Sequence, residues 1–285
     1  MNYFKIDNTV SWKTPCIQTG TIDPTQPLII NGYTVALLQA KIPETPPPVS
    51  YFADGFESGD FSRWTGTLST WGETTTVESY RPYSGNYHAR FASNGGSGVE
   101  HAYCYKTMDM NEVYVRGYFY AARGLPLVDN GDRFYFLRLE GASQNLVYVG
   151  IRCDGGVNKW VIYGRNGARW MGWIYSDTPV VEMGRWYCVE LHWKKRSTMG
   201  LIELYVDGGK VLEISGINTA YYGNAKQVDF GLIYTASVQN SLIIYGDCCV
   251  VSQSYVGPEQ AQLFADGFES GDFSRWTGTL STWGE

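Results

Sequence analysis

Glu190 and Glu203 lie in two neighbouring segments, RWYCVELHWKK and LIELYVD, and are the one attractive acid pair in the chain. Hydrolysis of a glycosidic bond needs two carboxylates set across a cleft, about 5 Å or about 8 Å apart. His192, two residues beyond Glu190, suits a different reaction. A base of this kind can remove the α-proton of a uronate once Arg116 or Arg138 has neutralised the sugar carboxylate and made that C–H more acidic. A lone histidine on a strand is more often satisfied by its neighbours. Trp170 and Trp173, in RNGARWMGWIY, offer flat indole faces for stacking on sugar rings; they read as loop residues that either stay exposed or fold back into the core. Other chemistries lack their signatures: there is no GxSxG, HExxH, P-loop or GxGxxG ahead of a helix, and DNGDR from Asp129 to Arg133 reads as a turn.

Strands must position these side chains. From Tyr51 onward, alternating segments are separated by Gly, Asn and Asp, and about ten strands at this spacing without an amphipathic helix predict a two-sheet sandwich. Period two assigns Val113, Val115, Gly117 and Phe119 to the core and Tyr114, Arg116, Tyr118 and Tyr120 to the opposite face. In the same way Tyr187, Val189, Leu191 and Trp193 face inward, as do Ile202, Leu204 and Val206. The outward set Arg116, Tyr118, Tyr120, Arg138, Tyr148, Arg152, Glu190, His192, Glu203 and Tyr205 mixes rings with hydrogen-bonding groups, as a glycan site requires, although a solvated sheet face carries the same mixture.

Composition narrows the function classes. The 285 residues carry a formal net charge of -6, with 18% charged residues, 33 Gly, 22 Tyr and 10 Trp, a balance that favours β structure. No basic run exceeds Lys194-Lys195-Arg196, which argues against nucleic acid as a partner. No stretch has the length and apolarity of a signal peptide or a membrane span. The six cysteines form no CxxC pair and read as buried thiols, with Cys248 and Cys249 pointing to opposite faces of a strand.

The chain divides, on this reading, into an N-terminal attachment module of β character (1–42) with a hairpin at Asn31-Gly32, a proline-rich spacer (43–50) and a sandwich (51–262). Residues 263–285 follow. Within them Phe264 to Glu285 repeats Phe52 to Glu73, FADGFESGDFSRWTGTLSTWGE, without a change. The repeat implies either the start of a tandem domain or a spare edge strand for insertion into a neighbouring subunit.

The segments DGFESGDFSRWTG, SGNYHARF, GRWYCVELHWKK with LIELYVDGGKV, and YGDCCVVSQSYVGP resemble the concanavalin A-like lectin/glucanase superfamily, the laminin G-like jelly roll, across residues 51–258. The resemblance implies an all-β, two-sheet antiparallel jelly-roll sandwich with a concave face suited to glycans. In such jelly rolls a structural calcium can lie between the opening segment and the last strand, with Asp54, Glu57 and Asp247 as the positions to consider, although the same acids can simply cap turns; an Asp pair common in relatives is here Asp247-Cys248. The Glu-x-Asp-x-x-Glu motif of glucanases of this fold is absent. No cofactor is required. The expectation is therefore a non-catalytic structural and recognition protein on a virion or extracellular surface, such as a phage decoration or fibre component, whose partners are its own or other structural subunits and a polysaccharide. The alternatives are a filament subunit and a polysaccharide lyase or glycoside hydrolase.

Overall fold

The computed structural model describes residues 50–70, 72–96, 98–177, 181–236 and 241–259, together with four short strands nearer the N-terminus. The chain divides into two compact units, Met1–Pro47 and Pro48–Glu285. In the first, β1 (Thr9–Val10) pairs with β2 (Gly20–Thr21), and β3 (Leu28–Ile30) pairs with β4 (Tyr33–Val35). Ile30 lies opposite Tyr33, and the expected turn residues Asn31 and Gly32 lie outside the described residues. The proline-rich stretch up to residue 49 and the repeated segment 263–285 lie outside the described residues.

The second unit is a sandwich of two antiparallel sheets. Its strands are β5 (Ser50–Asp54), β6 (Gly66–Ser69), β7 (Thr74–Glu78), β8 (His88–Ala92), β9 (Ala102–Met110), β10 (Glu112–Arg123), β11 (Arg133–Glu140) and β12 (Asn145–Asp154). There follow β13 (Val157–Asn166), β14 (Arg169–Tyr175), β15 (Trp186–Lys194), β16 (Gly200–Val206), β17 (Gly209–Ile217), β18 (Ala225–Ala236) and β19 (Ile243–Ser252). One sheet runs β17-β16-β15-β10-β19-β8-β7, with β5 also paired to β19; the other runs β14-β13-β12-β11-β18-β9-β6. These fifteen strands exceed the ten expected because several short edge strands carry too few residues to show an alternation. One correction concerns Trp170 and Trp173, expected in a loop, which lie on the edge strand β14.

The apolar halves of the alternations meet between the sheets. Val113, Val115, Val189, Leu191, Ile202 and Leu204 are all fully buried. Phe230 of β18 fills the centre, and a Cβ on Gly117 or Gly246 of the facing sheet would stand 2.3 or 2.4 Å from its ring. Glycine at those two positions is therefore a packing requirement. Cys104, Cys153, Cys188 and Cys249 are buried free thiols, as read from the sequence.

Candidate functional site

The face set read from the sequence as one surface is split between the two sheets. Arg116, Tyr118 and Tyr120 (β10), Glu190 and His192 (β15) and Glu203 and Tyr205 (β16) all lie on the outer side of the first sheet. They are not open to a ligand. The chain after β19 crosses that side: Glu190 accepts the Val256 and Gly257 N–H groups at 2.8 and 2.7 Å, Arg116 pairs with Glu259 at 3.1 Å, and Glu259 N–H donates to the Tyr118 hydroxyl at 2.7 Å. Tyr83 stacks on Tyr118 at 3.5 Å, Arg81 donates to the Tyr120 hydroxyl at 3.1 Å, and Tyr255 packs on Tyr205 at 5.0 Å.

His192 is occupied on both ring nitrogens, by Glu203 at 2.6 Å and Glu112 at 3.1 Å, beneath the stacked ring of Tyr114 at 3.9 Å. Neither nitrogen is available to take a proton from a substrate. Burial pushes the Glu203 carboxyl up, but its bonds from His192 and Lys210 outweigh that and hold it below the ordinary value. Glu190 and Glu203 are each almost wholly buried, so they do not face one another across an open cleft. Hydrolysis by that pair is excluded by packing.

The outer side of the second sheet is open. Arg133, Tyr135, Gln144, Asn145, Tyr148, Tyr163, Arg165, Trp170, Trp173 and Tyr234 line a groove of about 370 Å³, within the size range of small-molecule sites. Period two places Tyr135, Tyr148 and Tyr163 of β11 to β13 on one side, a register shift between the Tyr163–Trp173 and Arg165–Trp170 pairs brings both tryptophans of β14 to it, and the rings stack into a floor. Tyr163 lies 4.4 Å from Trp170 and 5.6 Å from Trp173, and Tyr135 lies 4.9 Å from Tyr148 and 5.9 Å from Tyr234. Trp173 stays 39% exposed, held between the guanidinium groups of Arg133 at 5.1 Å and Arg152 at 4.4 Å. Arg165 lies over Trp170 at 4.0 Å.

Charge on this floor is unevenly compensated. Arg138 is neutralised by Glu140 and by Asp229, whose Oδ2 accepts Arg138 Nε at 2.6 Å. Burial pushes the Asp229 carboxyl up to about 6, with Arg138 opposing. Among the described residues Arg133, Arg152 and Arg165 form no ion pair with a carboxylate, and the buried Arg152 Nε has no hydrogen-bond partner. The groove thus has a surplus of positive charge in a chain of net charge -6.

Two groups on this face can move protons. The Tyr135 hydroxyl accepts from Trp173 Nε1 at 2.8 Å, and burial pushes its pKa up to about 12, so it keeps its proton. Beyond Tyr234, at 6.4 Å between ring centres, stands His101. Its Nδ1 meets the Ile233 carbonyl at 2.5 Å; a carbonyl only accepts, so Nδ1 carries a hydrogen, and Nε2 is the ring nitrogen turned to no protein partner among the described residues. Thr70 fixes the His101 backbone from both sides, through bonds of 2.9 and 3.0 Å. In the sequence His192 is the candidate base and His101 is not among the candidates, although His101, Tyr103 and Tyr105 share one face by alternation in HAYCY.

The calcium positions do not form a cage. Asp54 accepts Phe56 N–H and Trp64 Nε1–H, Asp247 accepts the Tyr83, Ser84 and Cys248 N–H groups, and Glu57 accepts from Asn86 and Tyr87. Oxygens so engaged point at N–H donors rather than at a shared centre, and among the described residues no three His, Cys, Asp or Glu side chains are arranged to hold a metal ion.

No protein-family model and no curated protein sequence matches the chain. Solved structures do. An endo-β-1,4-glucuronan lyase from the fungus Trichoderma reesei is 16% identical and superposes with a TM-score of 0.59, over 74% of this chain and 100% of that one. A cellulose-induced protein is also 16% identical, with a TM-score of 0.51 over 73% of this chain and 99% of that one. Both share the two-sheet antiparallel sandwich. The expectation of a non-catalytic protein is overturned by the first of them, a lyase that shares the fold over 74% of this chain.

Proposed function

We propose that the chain is a polysaccharide lyase of the jelly-roll lectin/glucanase type, acting on a uronate-containing polymer in the groove of the second sheet. The observation that carries this reading is the pairing of unneutralised arginines with an aromatic floor, with His101 beyond Tyr234 bonded to protein through Nδ1. Sugar rings stack on Trp170, Trp173 and Tyr163, and Arg133 takes the uronate carboxylate.

With the carboxylate neutralised, His101 Nε2 removes the α-proton at C5. The released electron pair forms the C4–C5 double bond as the C4–O4 bond breaks, and the departing oxygen takes the proton of the Tyr135 hydroxyl. The reaction needs no oxidant and no water. The likeness to the glucuronan lyase supports the reaction class through the fold alone.

The test is ultraviolet absorbance from unsaturated uronate when the protein is mixed with acidic polysaccharides such as glucuronan or alginate. His101→Ala and Tyr135→Phe are expected to lower kcat by about 10²- to 10⁴-fold while the polymer still binds. No absorbance change with any acidic polymer would refute the proposal.

A further inference from the structure

The first copy of the repeated segment occupies a built socket. Through β5 it pairs with β19, and through β6 it forms the edge of the groove sheet beside β9, so it bridges both layers. Phe56 and Trp64 stack at 5.8 Å and both meet Phe230, at 6.2 and 5.8 Å. Asp54 locks the pair by accepting Phe56 N–H at 3.1 Å and Trp64 Nε1–H at 2.7 Å. Each of these residues recurs in the second copy, as Asp266, Phe268 and Trp276. A segment of identical sequence can make every one of these contacts.

The second copy also starts within reach. Glu259 lines the same surface cleft as Asp54, Gly55 and Glu57. The chain from Glu259 to Phe264 spans up to about 17 Å when extended. We propose that residues 264–285 are an alternative occupant of this socket in the same molecule, exchanging with residues 52–73. Because the contacts are the same, the two arrangements differ only in how each copy is tethered, and neither dominates by packing. When the second copy is seated, the sandwich stays sealed while the first copy is released.

The experiment compares full-length Trp64→Ala, Trp276→Ala and the double variant by denaturant unfolding. Exchange predicts that either single variant lowers the folding equilibrium constant by about two-fold to a few-fold. The double variant loses about a hundred-fold or more, as expected for emptying a buried tryptophan site. Phe56→Ala and Phe268→Ala, singly and together, repeat the comparison with a second pair. A single variant as damaged as its double would overturn the proposal. So would a rescue that strengthens with protein concentration, since that assigns the socket to the segment of a second molecule.

Discussion

At the scale of single residues, availability separates the two histidines considered for the proposed reaction. His192 has the acidic company expected of a catalytic base, yet both its nitrogens are bonded to carboxylates under a tyrosine ring. His101 has only a carbonyl on Nδ1. We therefore expect His192→Ala to cost about 2 kcal/mol of stability, a fall in Tm of roughly 4–8 °C, with kcat unchanged. Calorimetry and a turnover assay on the same sample check this, and a catalytic loss with unchanged Tm would reverse the assignment. The same network gives a pH signature. Glu203 has a folded value below the ordinary 4.5, so its contribution is present above pH 4.5 and lost as pH falls through the lower folded value. The Tm gap between the wild-type protein and Glu203→Gln should be widest near neutrality and close in acid.

At the scale of elements, the strands β10 and β19 approach β18 closely enough that Phe230 fits only against glycine. Gly117→Ala should destabilise the sandwich by about 1–3 kcal/mol through overpacking, measured by denaturant unfolding. A neutral effect would mean that Phe230 can move aside. The two sheets owe their different outer faces to connections rather than to strand sequence. Residues 253–259 cross one face and fasten to Glu190, Arg116 and Tyr118, while no described segment crosses the rings of β12 to β14 in this way.

At the scale of the molecule, a net charge of -6 would repel an acidic polymer, so the groove arginines must act at short range. The Debye length is about 10 Å at 0.1 M salt, so binding of an acidic polymer should weaken steadily as salt is raised, as titration at several ionic strengths would reveal. Salt-independent binding would point to stacking alone. The division of the chain at Pro47 leaves the groove wholly within the second unit.

Much of the fold was legible in the chain itself. Alternation sorted Val115, Leu191 and Leu204 from Tyr114, Glu190 and Glu203, because a strand turns successive side chains to opposite faces whatever surrounds it. The same rule marked Tyr148 as outward. It has no term for what lies above a face, nor for which strands become neighbours in the sheet. Hence Arg116 and Arg138, alike in pattern, ended on different layers, and the acids around His192 looked catalytic until residues 253–259 were seen to cover the face they occupy. Facing is a local property of the backbone, and exposure is a property of contacts between residues far apart in sequence; the chain determined the first, and only the packed structure decided the second.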